Sequence, residues 1–182
     1  MSTIDPGEPT EVFTIRPAAP DDAAIIARVQ IETWRTTYRD LIPAAYLADL
    51  SIERRTRTHR IHLERRSLSV GIFVAEAEIG VVGYASCGTS RETDTADVGE
   101  LFAIYVLERT AGQGVGASLI RRTEAWFQEH RYAHAHLWVL EGNHSARGFY
   151  AHLGWIDSGE RKDEDIGGVI VREVKYRKTI VP

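Results

Sequence analysis

The sequence predicts an α+β (α/β) domain: a mixed, twisted sheet, mostly antiparallel, with one central βαβ unit and flanking helices. Three observations carry this reading. The first third of the chain spaces its apolar residues as helices do; from Val70 the apolar period changes to two; and Gly99 to Leu140 runs strand, glycine-rich turn, amphipathic helix, strand. Two strands joined through a helix lie parallel, whereas the others are joined closely enough to be antiparallel.

Residues 1–11 carry Pro6, Gly7 and Pro9 among polar neighbours and read as a loose tail, leaving 12–182 as one domain. Val12 to Arg16 alternates as a first strand, and Asp21 or Asp22 can cap a helix bearing Ile25, Ile26 and Val29 that runs toward Tyr38. After Pro43 a second helix carries Tyr46, Leu47 and Leu50; Ser51 can cap a third, dense in arginine through Arg66. Val70 to Ala77 and Val81 to Thr89 form a hairpin across Glu78 to Gly80. Ser90 to Val98 is a polar loop, Gly99 to Val106 a strand, and Leu119, Ile120, Thr123, Trp126 and Phe127 mark one face of the next helix. Ala133 to Leu140 is a strand. Asn143 can cap a short helix presenting Ala146, Phe149, Tyr150 and Leu153, with Gly154 at its C-terminal turn. Strands near Trp155 to Glu160 and Gly168 to Lys175 finish the chain across a charged loop.

Composition narrows the function. A net charge of -4 and a pI near 6.0 argue against a phosphate-backbone partner, so no nucleic acid is expected. The longest stretch without a charged residue, Ile79 to Ser90, is far below the ~20 apolar residues of a membrane span, so no membrane is expected. The N-terminus lacks the basic and apolar regions of a signal peptide, and Cys87, the single cysteine, has no internal disulfide partner; a cytoplasmic location follows as the expectation.

The loop Thr110-Ala-Gly-Gln-Gly-Val-Gly116 places three glycines at alternate positions directly before a helix. Amides at a helix N-terminus lack partners within the helix and face the positive end of its dipole, so bare glycines there suit a phosphate or pyrophosphate. A tight strand-to-helix turn with close packing at Gly116 accounts for the glycines equally well. Gly112 to Ala117 formally satisfies G-x-G-x-x-G/A, but Leu107 to Ala111 separate the strand from the first glycine and only one βαβ unit is present, which excludes the dinucleotide fold. No Gly-Lys-Ser/Thr follows, which excludes a P-loop.

With these residues in view, the chain resembles the GNAT superfamily of acetyl-CoA-dependent N-acetyltransferases. The family signature Q/R-x-x-G-x-G/A maps onto Ala111-Gly-Gln-Gly-Val-Gly116, behind a strand that looks like the family's fourth. A second signature is matched by Asn143, Ala146, Phe149, Tyr150, Leu153, Gly154 and Trp155. The resemblance spans roughly residues 12 to 176 in element order, with specific motifs only in 99–155. It implies a sheet splayed between the fourth and fifth strands, with acetyl-CoA as co-substrate held by Ile104, Tyr105, Val106, Ala111, Gly112, Gln113, Gly114, Val115, Gly116, Ala117, Asn143 and Tyr150. Ala111 stands where the family usually has Gln or Arg, so one side-chain donor to the pyrophosphate is absent, and Arg109 and Gln113 are the substitutes to examine.

Acetyl transfer from a thioester to an amine needs a neutral nucleophile, a place for negative charge on the carbonyl oxygen, and help for the departing thiolate. By resemblance, the Val106 N–H polarises the carbonyl. Tyr150 is the candidate donor to the thiolate: a phenol near pKa 10 facing a thiol near 8.5 makes full proton transfer uphill by only about 2 kcal/mol. Glu100 is the candidate base, acting through water; a solvent-exposed glutamate at the strand's start is the competing reading, and a bulge would alter its facing.

Trp34, Tyr38 and Tyr46 lie, by resemblance, where the acceptor enters, although core packing explains them equally well. The expected acceptor is a small-molecule primary amine, drawn by the acidic loop Glu92, Asp94 and Asp97; a protein or peptide amine, or a non-catalytic acetyl-CoA binder, are the alternatives. A homodimer is compatible with the family. Five of the seven histidines fall between His130 and His152, with His134 and His136 on one strand face, yet no further ligand joins them at metal-site spacing, so no metal is expected. The arginines between Arg54 and Arg66 alternate with Glu53 and Glu64 and read as a solvated face, and Cys87 reads as core.

Overall fold

The computed structural model describes residues 13–65, 67–92 and 97–180. The expected tail, Val12, Arg66, and Asp94 of the acidic loop lie outside them. Among the described residues, five α-helices, α1 (Ala23–Thr37), α2 (Ala44–Asp49), α3 (Ile52–Arg65), α4 (Val115–Glu129) and α5 (His144–His152), flank strands β1 (Phe13–Pro17), β2 (Val70–Ala77), β3 (Gly80–Thr89), β4 (Val98–Val106), β5 (His134–Leu140), β6 (Ile156–Ile166) and β7 (Val169–Thr179). The strands form one sheet in the order β1-β2-β3-β4-β5-β7-β6.

Every neighbouring pair is antiparallel except β4 and β5, the two strands that α4 joins. That parallel pair covers only Val98–Leu101 against His134–Leu137. At Phe102 the register with β3 slips, Leu101 facing Cys87 and Ala103 facing Ser86, so Phe102 is the extra residue of a bulge. Beyond it β4 follows β3 and β5 follows β7. The sheet is thus splayed, with an open wedge between Ile104–Val106 and Trp138–Leu140.

α4 buries Val115, Leu119, Ile120, Thr123, Trp126 and Phe127, the face that the apolar spacing picks out. It packs so closely that a Cβ at Gly99 would stand 2.4 Å from the Phe127 ring, which requires glycine there. α1 and α3 cover the opposite sheet face, where Ile26 and Val29 are fully buried and the His59 ring meets Tyr84 edge-on. Burial pushes the Cys87 thiol up to about 12, as for an unreactive core cysteine.

Two details differ from the sequence expectation. Asp22 stands at the start of α1, but its carboxylate accepts from the Ala19 N–H (2.8 Å) and pairs with Arg16 (2.7 Å) instead of capping the helix amides. The charged stretch expected as a loop after Glu160 is strand: β6 and β7 run to Ile166 and from Val169, tied by Lys162–Glu173 (3.0 Å) and Arg172–Asp163 (2.8 Å). Opposite charges at facing positions make such exposed strands pair. The turn between them is Gly167-Gly168, both at positive φ (65° and 82°), as a two-residue hairpin turn requires.

Candidate active site

The wedge opens into a cleft of about 880 Å³ that passes through the sheet. One half lies beside α4 and α5; the other lies under α1 and α2.

The first half is built on the glycine loop. Gly112 and Gly114 adopt φ of 78° and 82°, and Gly114 is the residue from which α4 starts. An added Cβ would touch nothing at either position, so backbone conformation, not crowding, selects glycine there. A Cβ at Gly116 would come 3.1 Å from Phe149, so this glycine lets the α4 terminus sit against α5. The amides of Gly114, Val115, Gly116 and Ala117 open α4 and have no carbonyl partner within it. All four residues line the cleft with Ala111 and Gly112. Neither substitute considered for the missing Gln or Arg side chain lines it: Arg109 pairs with Glu32 (3.3 Å), and the Gln113 amide turns back to the Arg109 carbonyl (3.4 Å). Arg121, two helical turns along α4, does line it, and donates to Ser118 (2.9 Å).

The wedge itself supplies backbone donors. The Leu107 N–H bonds to the Val82 carbonyl on the β3 side (2.9 Å), so by strand alternation the Val106 and Ile104 N–H groups point away from β3 into the gap. Facing them is α5, whose first turn is capped by Asn143 Oδ1 accepting from the Ala146 N–H (3.1 Å). Tyr150 lines the cleft from the next turns, its ring packed at tilted angles against Phe149, Trp155 and Tyr176. Burial, with a smaller contribution from the Tyr105 phenol, raises its pKa above the ordinary value and keeps it protonated.

The second half is aromatic. Trp34 and Tyr38 line it, their rings edge-to-face at 5.3 Å, together with Phe102, Tyr105, Trp138 and Ile166. The Tyr38 phenol is pushed well up by burial, then by Tyr105, Tyr150 and the Glu173 carboxylate, so three phenols and one carboxylate gather near the gap. Trp34 Nε1–H is buried beside the Tyr105 phenol, with no well-formed hydrogen bond among the described residues. Tyr46 does not line the cleft; it packs behind Trp34 (6.4 Å between rings), and the β6–β7 turn lies against it, a Cβ at Gly167 falling 2.8 Å from its ring.

Glu100 is placed otherwise than a base would require. It is 2% exposed and does not line the cleft. Its carboxylate accepts the Arg91 N–H (2.9 Å) and is clasped by the Arg91 guanidinium, with His136 Nε2 3.8 Å away. The bulge is the reason: Glu100 precedes it, in the four-residue segment still paired to β5, whereas the wedge begins after it. Of the acidic loop, the described residues Glu92 and Asp97 do not line the cleft. Glu92 bonds Lys175 (2.6 Å) and the Trp138 indole (2.9 Å). His134 and His136 share no metal-like group: among the described residues, no three His, Cys, Asp or Glu side chains converge to hold an ion.

The sequence model of the Acetyltransferase (GNAT) family matches residues 31–155. The chain belongs to the GNAT acetyltransferase family. Among relatives of this GNAT enzyme is the uncharacterized N-acetyltransferase YuaI of Bacillus subtilis (strain 168), 37% identical over 167 residues that cover 90% of this chain and 91% of that one. An uncharacterized N-acetyltransferase of Archaeoglobus fulgidus is 32% identical over 75% of this chain and 88% of its own. In fold this chain is similar to PaiA N-acetyltransferase from Thermoplasma acidophilum in complex with coenzyme A (TM-score 0.69, 20% identity, 90% and 99% of the two chains). It is also similar in fold to YncA from Salmonella typhimurium with acetyl-CoA (TM-score 0.71, 19% identity, 93% and 95%).

Sequence reasoning missed Arg121, Phe102, Trp138, Ile166 and Glu173 in this GNAT cleft. Phe102 was detectable only with the bulge, and Glu173 only with the register of β7 against β5, which pairs it with Leu140 at the wedge.

Proposed function

We propose that this GNAT acetyltransferase moves the acetyl group of acetyl-CoA directly onto the primary amine of a small molecule. The pyrophosphate rests on the amides from Gly112 to Ala117, with Arg121 as the side-chain cation in place of the one lost at Ala111. The pantetheine arm adds to the free edge of β4 along Ile104–Val106, and the Val106 N–H donates to the thioester oxygen as its negative charge grows. The ammonium first gives up its proton to water in the cleft. The neutral amine attacks the carbonyl carbon, and the C–S bond breaks with its electron pair on sulfur while the Tyr150 phenol donates to that thiolate. The proton shed by the nitrogen as the amide forms passes through water to solvent or to the thiolate. With its pKa raised by burial, Tyr150 stabilises the thiolate mainly as a hydrogen-bond donor, since full proton transfer is uphill by more than the ordinary phenol–thiol gap.

The observation that carries the small-molecule reading is the roof over the acceptor half. The Gly167 turn of β6–β7 packs on Tyr46 of α2, and Ile166 joins Trp34, Tyr38 and Leu140 in one apolar cluster. An extended peptide needs an open trough there. Glu100, itself buried but clasped by the largely exposed Arg91, takes a structural part in this reading: it would have to give up that ion pair before it could accept a proton. The test is coenzyme A release from acetyl-CoA over a panel of small amines, amino acids and peptides. Turnover of small amines supports the proposal; turnover confined to peptides or proteins defeats it.

A further inference from the structure

Of all described residues lining the cleft, one carries a carboxylate: Glu173 on β7. Its side chain is 19% exposed and sits opposite Leu140, one strand from the wedge. The arginine lining the same cleft, Arg121, belongs to α4 in the other half. The cleft is therefore polar end to end, positive where the phosphates rest and negative where the acceptor enters.

We propose that Glu173 selects the acceptor: its carboxylate draws in the ammonium of a monocationic amine whose apolar body lies against Trp34, Tyr38 and Trp138, and the nitrogen attacks once its proton has passed to water in the cleft. This rests on the small-amine reading above and names its substrate class. Two features define that class. The walls are aromatic, which suits an aryl or alkyl amine and offers ring faces to its charge. No cation among the described residues lines the acceptor half, so an amino acid would bring its α-carboxylate into an apolar box without a partner, at the cost of an unpaired buried charge. Of the neighbouring cations, Lys175 is held by Glu92 and Glu160 (2.6 and 3.1 Å), Arg91 by Glu100 and Lys162 by Glu173 (3.0 Å), while Arg55 stands 6.0 Å from the Trp34 ring centroid without lining the cleft.

Glu173 already holds a cation, and that cation is built to leave. Lys162 Nζ, facing it across the hairpin, lies 3.0 Å from Glu173 and 4.6 Å from the Trp138 ring centroid, on a side chain 40% exposed. A half-exposed lysine pair contributes little and is surrendered cheaply to a substrate ammonium. Lys162 thus marks the position of the acceptor's cation and competes with it.

The experiment measures kcat/KM for 2-phenylethylamine, for phenylalanine as its carboxylated counterpart, and for O-benzylhydroxylamine, which is uncharged at neutral pH. It uses the wild type, Glu173→Gln and Lys162→Met. The wild type is expected to prefer 2-phenylethylamine to phenylalanine by at least roughly tenfold. Glu173→Gln should lower kcat/KM for 2-phenylethylamine by roughly ten- to a hundredfold, chiefly through KM, and affect O-benzylhydroxylamine far less. Lys162→Met should raise kcat/KM for 2-phenylethylamine. Equal losses for the charged and uncharged acceptors, or no loss, overturn the assignment of Glu173 while leaving small-amine transfer intact. Wild-type turnover of peptides alone overturns the small-amine reading and this inference with it. If Glu173→Gln also weakens acetyl-CoA binding in calorimetry, Lys162→Met decides: a gain supports the inference, and no gain overturns it.

Discussion

Replacing Gly114 by aspartate separates what the glycine loop does for the fold from what it does for the cofactor. Gly114 lines the cleft at φ 82°, and an added Cβ there meets nothing within 4 Å, so the new side chain has room. A left-handed backbone costs an L-residue roughly 1–2 kcal/mol, with aspartate at the low end, and a carboxylate at the start of α4 regains roughly 0.3–1 kcal/mol from the helix dipole. The net loss, below about 1 kcal/mol, lowers Tm by less than about 2–4 °C. Binding is another matter. A carboxylate about 4 Å from one phosphate charge repels it by about 4 kcal/mol at an effective dielectric of 20, roughly a thousandfold in Kd. Gly114→Ala carries the backbone cost without the charge and should weaken acetyl-CoA only mildly. Calorimetric titration of both variants, with thermal melts by circular dichroism, is the assay. A folded Gly114→Asp variant that binds acetyl-CoA as the wild type does would show that the loop is a turn and not a phosphate seat.

Tyr150→Phe should bind acetyl-CoA normally and lose roughly ten- to a thousandfold in kcat, the range of general acid effects; steady-state kinetics with unaltered kcat would return Tyr150 to the core. Glu100→Gln should keep kcat and lower stability by roughly 1–3 kcal/mol through its weakened hold on Arg91, and a large fall in kcat at unchanged Tm would restore Glu100 as the base. His59, bonded to Gln30 at 2.8 Å, has its pKa lowered by burial, then by Arg55 and His62, to about 4. The unfolded chain therefore takes up this proton first as pH falls, so stability declines from about pH 6.5 downward and levels off near pH 4. Melts of His59→Gln should be flatter over that window, and an unchanged slope would contradict the assignment.

The elements that local chemistry dictates were legible in the sequence. Asn143 caps α5, Ser51 Oγ accepts from the Arg54 N–H (3.2 Å) at α3, Gly154 closes α5 at φ 81°, and the buried face of α4 follows the apolar spacing. Features set by long-range pairing were not. The facing of Glu100 depends on the bulge at Phe102, which no residue announces, because its cause is the divergence of β4 from β5. The length of β6 was hidden by charge: Arg161 to Asp165 read as loop until β7 supplied the opposite charges beside them. Glu92 suggested attraction of cationic substrates, yet Lys175, 83 residues away in sequence, consumes that charge. Trp34 and Tyr38 could be chosen for the acceptor half but not distinguished from Tyr46, because only the packing of the Gly167 turn puts Tyr46 behind the wall.

The central claim is direct transfer from acetyl-CoA to an amine within the wedge, and mass spectrometry of a quenched reaction with acetyl-CoA and 2-phenylethylamine tests it most directly. The account predicts N-acetylated amine and free coenzyme A in equal amounts, with no acetylated protein at any time point, since the single cysteine, Cys87, is buried and its thiol pushed up to about 12. Acetylated protein that forms before the product and decays as the product appears would contradict it.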